Sequence, residues 1–65
     1  AITSAIKAKY MADDRIKSLD IHVETINGIV TLNGKVNTKK VKEVAISIAQ
    51  NTDGVTKVID QLAIK

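Results

Sequence analysis

Asp20-Ile21-His22-Val23-Glu24-Thr25-Ile26-Asn27-Gly28-Ile29-Val30-Thr31-Leu32-Asn33-Gly34-Lys35-Val36 is the stretch that decides the fold. Asn27-Gly28 separates two runs rich in Val, Ile and Thr. A type I′ turn needs positive φ at both central residues, which Asn and Gly reach at least cost, so the spacing predicts a β-hairpin. Closing the turn there fixes the register. Ile26 faces Ile29, Thr25 faces Val30, Glu24 faces Thr31, Val23 faces Leu32, His22 faces Asn33 and Ile21 faces Gly34. Further out, Asp20 faces Lys35 and Leu19 faces Val36. Facing residues share a side of the pleat. One side then reads Leu19, Ile21, Val23, Thr25, Val30, Leu32, Gly34 and Val36, and the other is largely polar. A one-residue slip would mix the two sets, so turn and pattern support each other.

The flanks supply helices. Ile2, Ala5, Ile6, Tyr10 and Met11 recur at three- and four-residue spacing, one stripe of a helix from Ile2 to about Ala12. Asp13-Asp14 ends it in a turn, and Ile16 tucks under the helix on the way to the first strand. Asn37 or Thr38 is a suitable N-cap for a second helix, in which Val41, Val44, Ala45 and Ile48 fall on one face and which ends near Gln50 or Asn51. Asp53-Gly54 turns the chain into a third strand over Val55 to Lys65. There Val58, Asp60, Leu62 and Ile64 alternate with Lys57, Ile59, Gln61 and Ala63. The order αββαβ predicts an α+β fold, with two helices packed on one face of a three-stranded mixed sheet. A right-handed crossover places the third strand parallel to the second, giving the order 1-2-3. Gly34, on the core face of the central strand, admits a helix closely or marks a bulge. The predicted core is Ile6, Ile21, Val23, Val30, Leu32, Val36, Val41, Val44, Ala45, Ile48, Val58, Leu62 and Ile64.

The totals bound the function. Sixty-five residues form a single domain, 1–65, whose core is marginal in size. No cysteine is present and histidine occurs once, so there is no disulfide or thiolate site, and no metal or cofactor is expected. No stretch approaches the roughly 20 apolar residues of a membrane span. No secretory leader stands at the start, where Ala1 opens directly on a helix-like pattern, as a mature or excised domain would. The net charge is +3 and the sequence pI about 9.4, a mild bias toward anionic partners. Tyr10 is the only aromatic residue, so base-stacking platforms are missing and nucleic acid is not an expected partner.

Two candidate surfaces emerge. Lys35, Lys39, Lys40 and Lys42 lie close together with no acid among them. Three of them fall at the start of the second helix, where the macrodipole disfavours cations. Such a run is either a solvated face or a place held for an anion such as a lipid phosphate. Ile26 and Ile29 at the hairpin tip, with Ile59 on the third strand, point away from the core. Together with Lys35, Lys57 and Lys65 they suit a membrane surface or a partner domain, unless they are ordinary surface residues. His22 faces solvent beside Asn33. Glu24 lies two residues along the same face, a spacing too common to mark catalysis. Asp60 interrupts an apolar alternation and reads as a structural cap bonded to backbone or to a lysine. Asp13-Asp14 reads as a turn, since two adjacent carboxylates alone make a poor cation site. No nucleophile–base set, metal cluster or phosphate loop can be assembled, so the chain is not expected to be an enzyme.

The run Ile21-x-Val23-x-x-x-Asn27-Gly28-x-Val30-x-Leu32-x-Gly34-x-Val36 resembles the signature of the BON domain, named for bacterial osmotic-stress and nodulation proteins. So does Gly54-Val55-x-x-Val58-x-Asp60-x-Leu62-x-Ile64, although the family more often has Asn where Asp60 stands. The resemblance covers essentially the whole chain. It implies a periplasmic or envelope-associated αββαβ module of a larger or tandem-domain protein, with no catalytic residues. It also implies binding to phospholipid surfaces or to envelope proteins, and for some members a potassium-binding role. The shared residues are structural, so no binding residue transfers by motif. The favoured reading is a non-catalytic envelope module that binds anionic phospholipid weakly through Lys35, Lys39, Lys40 and Lys42, with apolar contact from Ile26, Ile29 and Ile59. The alternative is a protein–protein adaptor or oligomerisation domain. A KH-like nucleic-acid binder ranks below both, because no G-x-x-G loop links two helices.

Overall fold

A computed structural model describes all of residues 1–65, with α1 (Ile2–Met11), β1 (Ile21–Ile26), β2 (Ile29–Val36), α2 (Lys39–Gln50) and β3 (Lys57–Ile64). The turn chemistry acts as its sequence requires. Asn27 and Gly28 take φ of 51° and 79°, and β1 pairs antiparallel with β2 from Ile26↔Ile29 out to Ile21↔Gly34. β3 pairs parallel with β2 from Ile29↔Lys57 to Val36↔Ile64, giving the order β1-β2-β3. The predicted fold class, strand order and hairpin register are those of the molecule. Thr38 caps α2, its hydroxyl accepting from the Val41 N–H at 3.1 Å.

Four expectations need correction. The hairpin stops at Ile21↔Gly34, short of the predicted Asp20–Lys35 and Leu19–Val36 pairs. Gly34 takes φ 131°, and a Cβ there would run into the Asp20 carbonyl oxygen. The close approach at Gly34 is therefore made by the backbone entering β1, not by a helix. β3 begins at Lys57 rather than Val55, because the Thr56 N–H and hydroxyl both turn onto the Gly28 carbonyl, at 2.8 and 3.2 Å. Ile64, expected in the core, is 47% exposed as the last residue of an edge strand.

The fully buried centre is Ile6, Ile16, Val30, Leu32, Val36, Ala45 and Ala49, with Tyr10, Val23 and Leu62 nearly so. Ile21, Val41, Val44, Ile48 and Val58 pack against this centre only half-buried. Two small residues, Ala45 and Ala49, let α2 lie close to the sheet, which leaves the larger side chains beside them at the margin. Tyr10 closes the core from α1, its hydroxyl donating to the Ala45 carbonyl at 2.7 Å. Ile16 is held beneath α1 by a tight turn in which the Ile16 and Lys17 N–H groups bond the Asp13 carbonyl at 3.0 and 2.8 Å. Thr52 is the one buried polar residue, and it is satisfied: it donates to the Ile48 carbonyl and accepts from Lys9 Nζ.

Candidate functional site

The run of lysines does not act as one cluster. Lys42 points along α2 to β3 and pairs with Asp60 at 3.2 Å, both side chains about two-thirds shielded. The second Asp60 oxygen accepts the Leu62 N–H at 3.0 Å. Asp60 thus has the expected capping role, and in filling it draws Lys42 away from its neighbours. Lys35, Lys39 and Lys40 are exposed and take part in no ion pair. The first turn of α2 contains no acidic residue to offset Lys39 and Lys40.

Lys35 is the penultimate residue of β2, on the open side of the sheet, and from Val36 the chain crosses over Asn37 and Thr38 to Lys39. Lys65 arrives at the same end, its N–H bonded to the Val36 carbonyl at 2.9 Å. Lys35 and Lys65 line an open hollow of about 510 Å³ together with Ser18, Leu19, Asp20 and Gly34. The carboxyl end of the parallel β2–β3 pair therefore gathers Lys35, Lys39, Lys40 and Lys65. The sequence places Lys65 with Lys35 and Lys57 on the open face but not with the helix-start lysines; the parallel register of β3 was the signal that it ends beside them.

The apolar candidates lie at the other end. Ile26 and Ile29 are 68% and 37% exposed at the hairpin tip, and Ile59, 37% exposed, stands one row further along. β2 is eight residues long, so the tip and the lysine end are about 23 Å apart at about 3.3 Å per residue. Ile26, Ile29 and Ile59 share the uncovered face of the sheet with Lys35 and Lys57, whereas Lys39 and Lys40 belong to the helical layer. The two candidate sets are separate surfaces.

His22 faces Asn33 and Glu24 faces Thr31, and neither makes a side-chain bond. Asp13 and Asp14 are committed to their turn. Arg15 donates to Asp13 through its backbone N–H at 2.8 Å and its guanidinium at 2.9 and 3.2 Å, bonds that hold the Asp13 carboxyl below the usual range, and Asp14 pairs with Lys17 at 3.2 Å. No group of three His, Asp, Glu or Cys side chains comes together. No helix is long and apolar enough to cross a membrane. A small apolar cavity of about 150 Å³ opens between α1 and the segment leading into β1, walled by Tyr10, Met11, Ile16, Leu19 and Ile21. Sequence reasoning had no means to see it, because it forms between a helix and an irregular arm.

Comparison with known proteins agrees with this architecture. The BON domain family pattern matches residues 1–65. Osmotically-inducible protein Y of Escherichia coli (strain K12) is 42% identical over 65 residues, covering 100% of this chain and 32% of that protein. The 21 kDa hemolysin of Actinobacillus pleuropneumoniae is 41% identical over 58 residues, covering 89% of this chain and 29% of that protein. The chain spans about a third of the length of these curated relatives.

Proposed function

The chain belongs to the BON domain family, and from that premise we propose that it is a non-catalytic interaction module of the bacterial envelope that binds anionic phospholipid surfaces weakly. The observation behind this reading is the lysine end of the sheet. Lys35, Lys39, Lys40 and Lys65 stand exposed and unpaired where β2 ends and α2 begins, with no acid in the first helical turn. Cations beside the positive end of a helix dipole are mildly unfavourable. An anion placed among them relieves that cost and meets the free N–H groups of the first turn. A relative named for its osmotic induction fits an envelope setting under osmotic stress.

Each basic residue near an anionic leaflet contributes roughly 1 kcal/mol, so three or four give an affinity near 10⁻³ M at best. That affinity becomes useful only in a longer or multivalent protein. Vesicle co-sedimentation tests it. Binding is expected to vesicles rich in phosphatidylglycerol and not to phosphatidylcholine vesicles, to weaken at high salt, and to disappear in Lys39→Gln/Lys40→Gln. Equal binding by wild type and variant would refute the reading. The adaptor reading is favoured by a different observation, the exposure of Ile26, Ile29 and Ile59 at the far end of the sheet.

A further inference from the structure

We propose that the uncovered sheet face at the hairpin tip is a self-association surface, on which a second copy of this chain packs sheet to sheet about a two-fold axis parallel to β2. This gives the oligomerisation reading a partner and a geometry. It uses neither Lys39 nor Lys40, so its failure and that of the anion reading are separable.

The β3 edge and the helix-covered face of the sheet are poor docking sites. On β3 the Asp60 carboxylate occupies the Leu62 N–H and holds Lys42 beside it, a charged guard against strand addition. α1 covers the core face of β1, with Thr3 bonded to Thr25 at 2.8 Å and Val23 only 3% exposed, so that face offers no docking surface. The open face remains, and it holds three of the five large hydrophobic residues that the chain exposes: Ile26, Ile29 and Ile59.

The register arranges this face in rows. One row across β1, β2 and β3 reads Ile26, Ile29, Lys57, and the next reads Glu24, Thr31, Ile59. An acid and a base thus bracket the isoleucines from opposite edge strands. Neither Glu24 nor Lys57 has an ion-pair partner in its own chain. A two-fold axis along β2 lays β1 of one copy over β3 of the other. Ile29 then meets its own copy at the centre, and Ile26 lies over the stem of the partner copy's lysine. Each Glu24 comes one row, about 7 Å along the strand, from the opposing lysine, within reach of the two side chains. An axis running across the strands instead lays each edge strand over its own copy, so that Glu24 nears the other Glu24 and Lys57 the other Lys57 with no opposite charge between them. Charge therefore selects the first arrangement, an isologous contact of aligned sheets. Lys35, in the central strand at the other end, would face its own copy and confines the contact to the tip half. A patch of three isoleucines is much smaller than the about 1,600 Å² of a standard interface, so the dimer is weak and needs high local concentration.

A dilution series by NMR and sedimentation equilibrium, from tens of micromolar to millimolar, tests the proposal. Expected is a monomer–dimer equilibrium with concentration-dependent amide shifts on Ile26, Ile29, Thr31 and Ile59. Glu24→Lys should weaken it about tenfold, two cross-copy charge pairs being lost, and Glu24→Lys with Lys57→Glu should restore it. Ile29→Glu should abolish it with the fold intact by circular dichroism, since these side chains are exposed. A chain monomeric at millimolar concentration, shifts that map to the helices, or a charge swap that fails to restore association would each overturn the proposal.

Discussion

Gly34→Ala is the sharpest test of how the hairpin and the central strand are held together. Gly34 takes φ 131°, a region that costs an L side chain about 1–3 kcal/mol. An added Cβ would also collide with the Asp20 carbonyl oxygen, and it would stand 3.2 Å from the Asp20 carbonyl carbon and 3.3 Å from the Ile21 Cα. These are backbone atoms and cannot rotate aside, so β1 must shift against β2, an overpacking cost of about 1–3 kcal/mol. The two effects together come to about 2–6 kcal/mol. A domain of this size has about 3–10 kcal/mol in all, at about 0.05–0.15 per residue, so the variant should be largely unfolded or close to it. Gly54→Ala is the control. Gly54 also has positive φ, 90°, but its added Cβ meets only the Ile2 side chain, at 3.1 and 3.4 Å. That side chain can move, so only the backbone strain remains, about 1–3 kcal/mol. Urea denaturation followed by circular dichroism compares the two. If Gly34→Ala proves no more destabilising than Gly54→Ala, the close contact with Asp20 does not govern this position.

Other substitutions probe separate parts of the fold. Leu32→Ala, at a fully buried site in the central strand, should cost about 2–5 kcal/mol in the same denaturation experiment. Thr38→Ala removes the cap on the Val41 N–H and should cost about 1 kcal/mol, with added exchange at the first amides of α2. Tyr10→Phe should cost about 1 kcal/mol at neutral pH by losing its bond to the Ala45 carbonyl. Burial pushes the Tyr10 hydroxyl from 10.0 up to about 12. Ionisation therefore favours the unfolded chain: the stability tied to the neutral phenol is complete below pH 10 and falls away as pH rises toward about 12. Wild type should lose stability over that range more steeply than Tyr10→Phe, and parallel pH profiles would contradict this placement of Tyr10.

The hairpin was legible because two independent signals agree there: the turn residues and the two-residue alternation. The strand order followed from the crossover rule, and α2 from its cap and its stripe. What escaped the sequence depends on contacts between distant segments. Ile64 continues the alternation of Leu62, but the pattern cannot say where the cover of the helices ends. Ala49 looks unremarkable in sequence yet is fully buried, because small residues set how near a helix lies to a sheet. At Gly34 the sequence pointed to a helix or a bulge where the Asp20 backbone stands, since the spacing shows that something comes close but not what. For the lysines, a linear run suggested one cluster, and a single acid on a strand 18 residues further along the chain redirected Lys42 to itself.

That redistribution bears on how this small domain combines stability with binding. Its core contains no charged side chain, and its only buried polar residue, Thr52, is satisfied. The Lys42–Asp60 pair is partly exposed and is worth at most about 1 kcal/mol as an ion pair. Asp60 also satisfies a strand-edge N–H, so its greater role is to terminate the sheet rather than to hold it together. The remaining exposed lysines and isoleucines add little to folding and are free to vary with function. Lys35, Lys39, Lys40 and Lys65 fall toward one end of β2 and Ile26, Ile29 and Ile59 toward the other, ends about 23 Å apart, beyond the Debye length of about 8 Å at physiological salt. Charge at one end is therefore nearly invisible at the other. Lys39→Gln/Lys40→Gln should leave self-association at the tip unchanged, and Ile29→Glu should leave vesicle binding unchanged if the lysine end alone meets the lipid. Loss of both activities from either variant would mean that the sheet face and the helix start form one surface, contrary to the geometry of the fold.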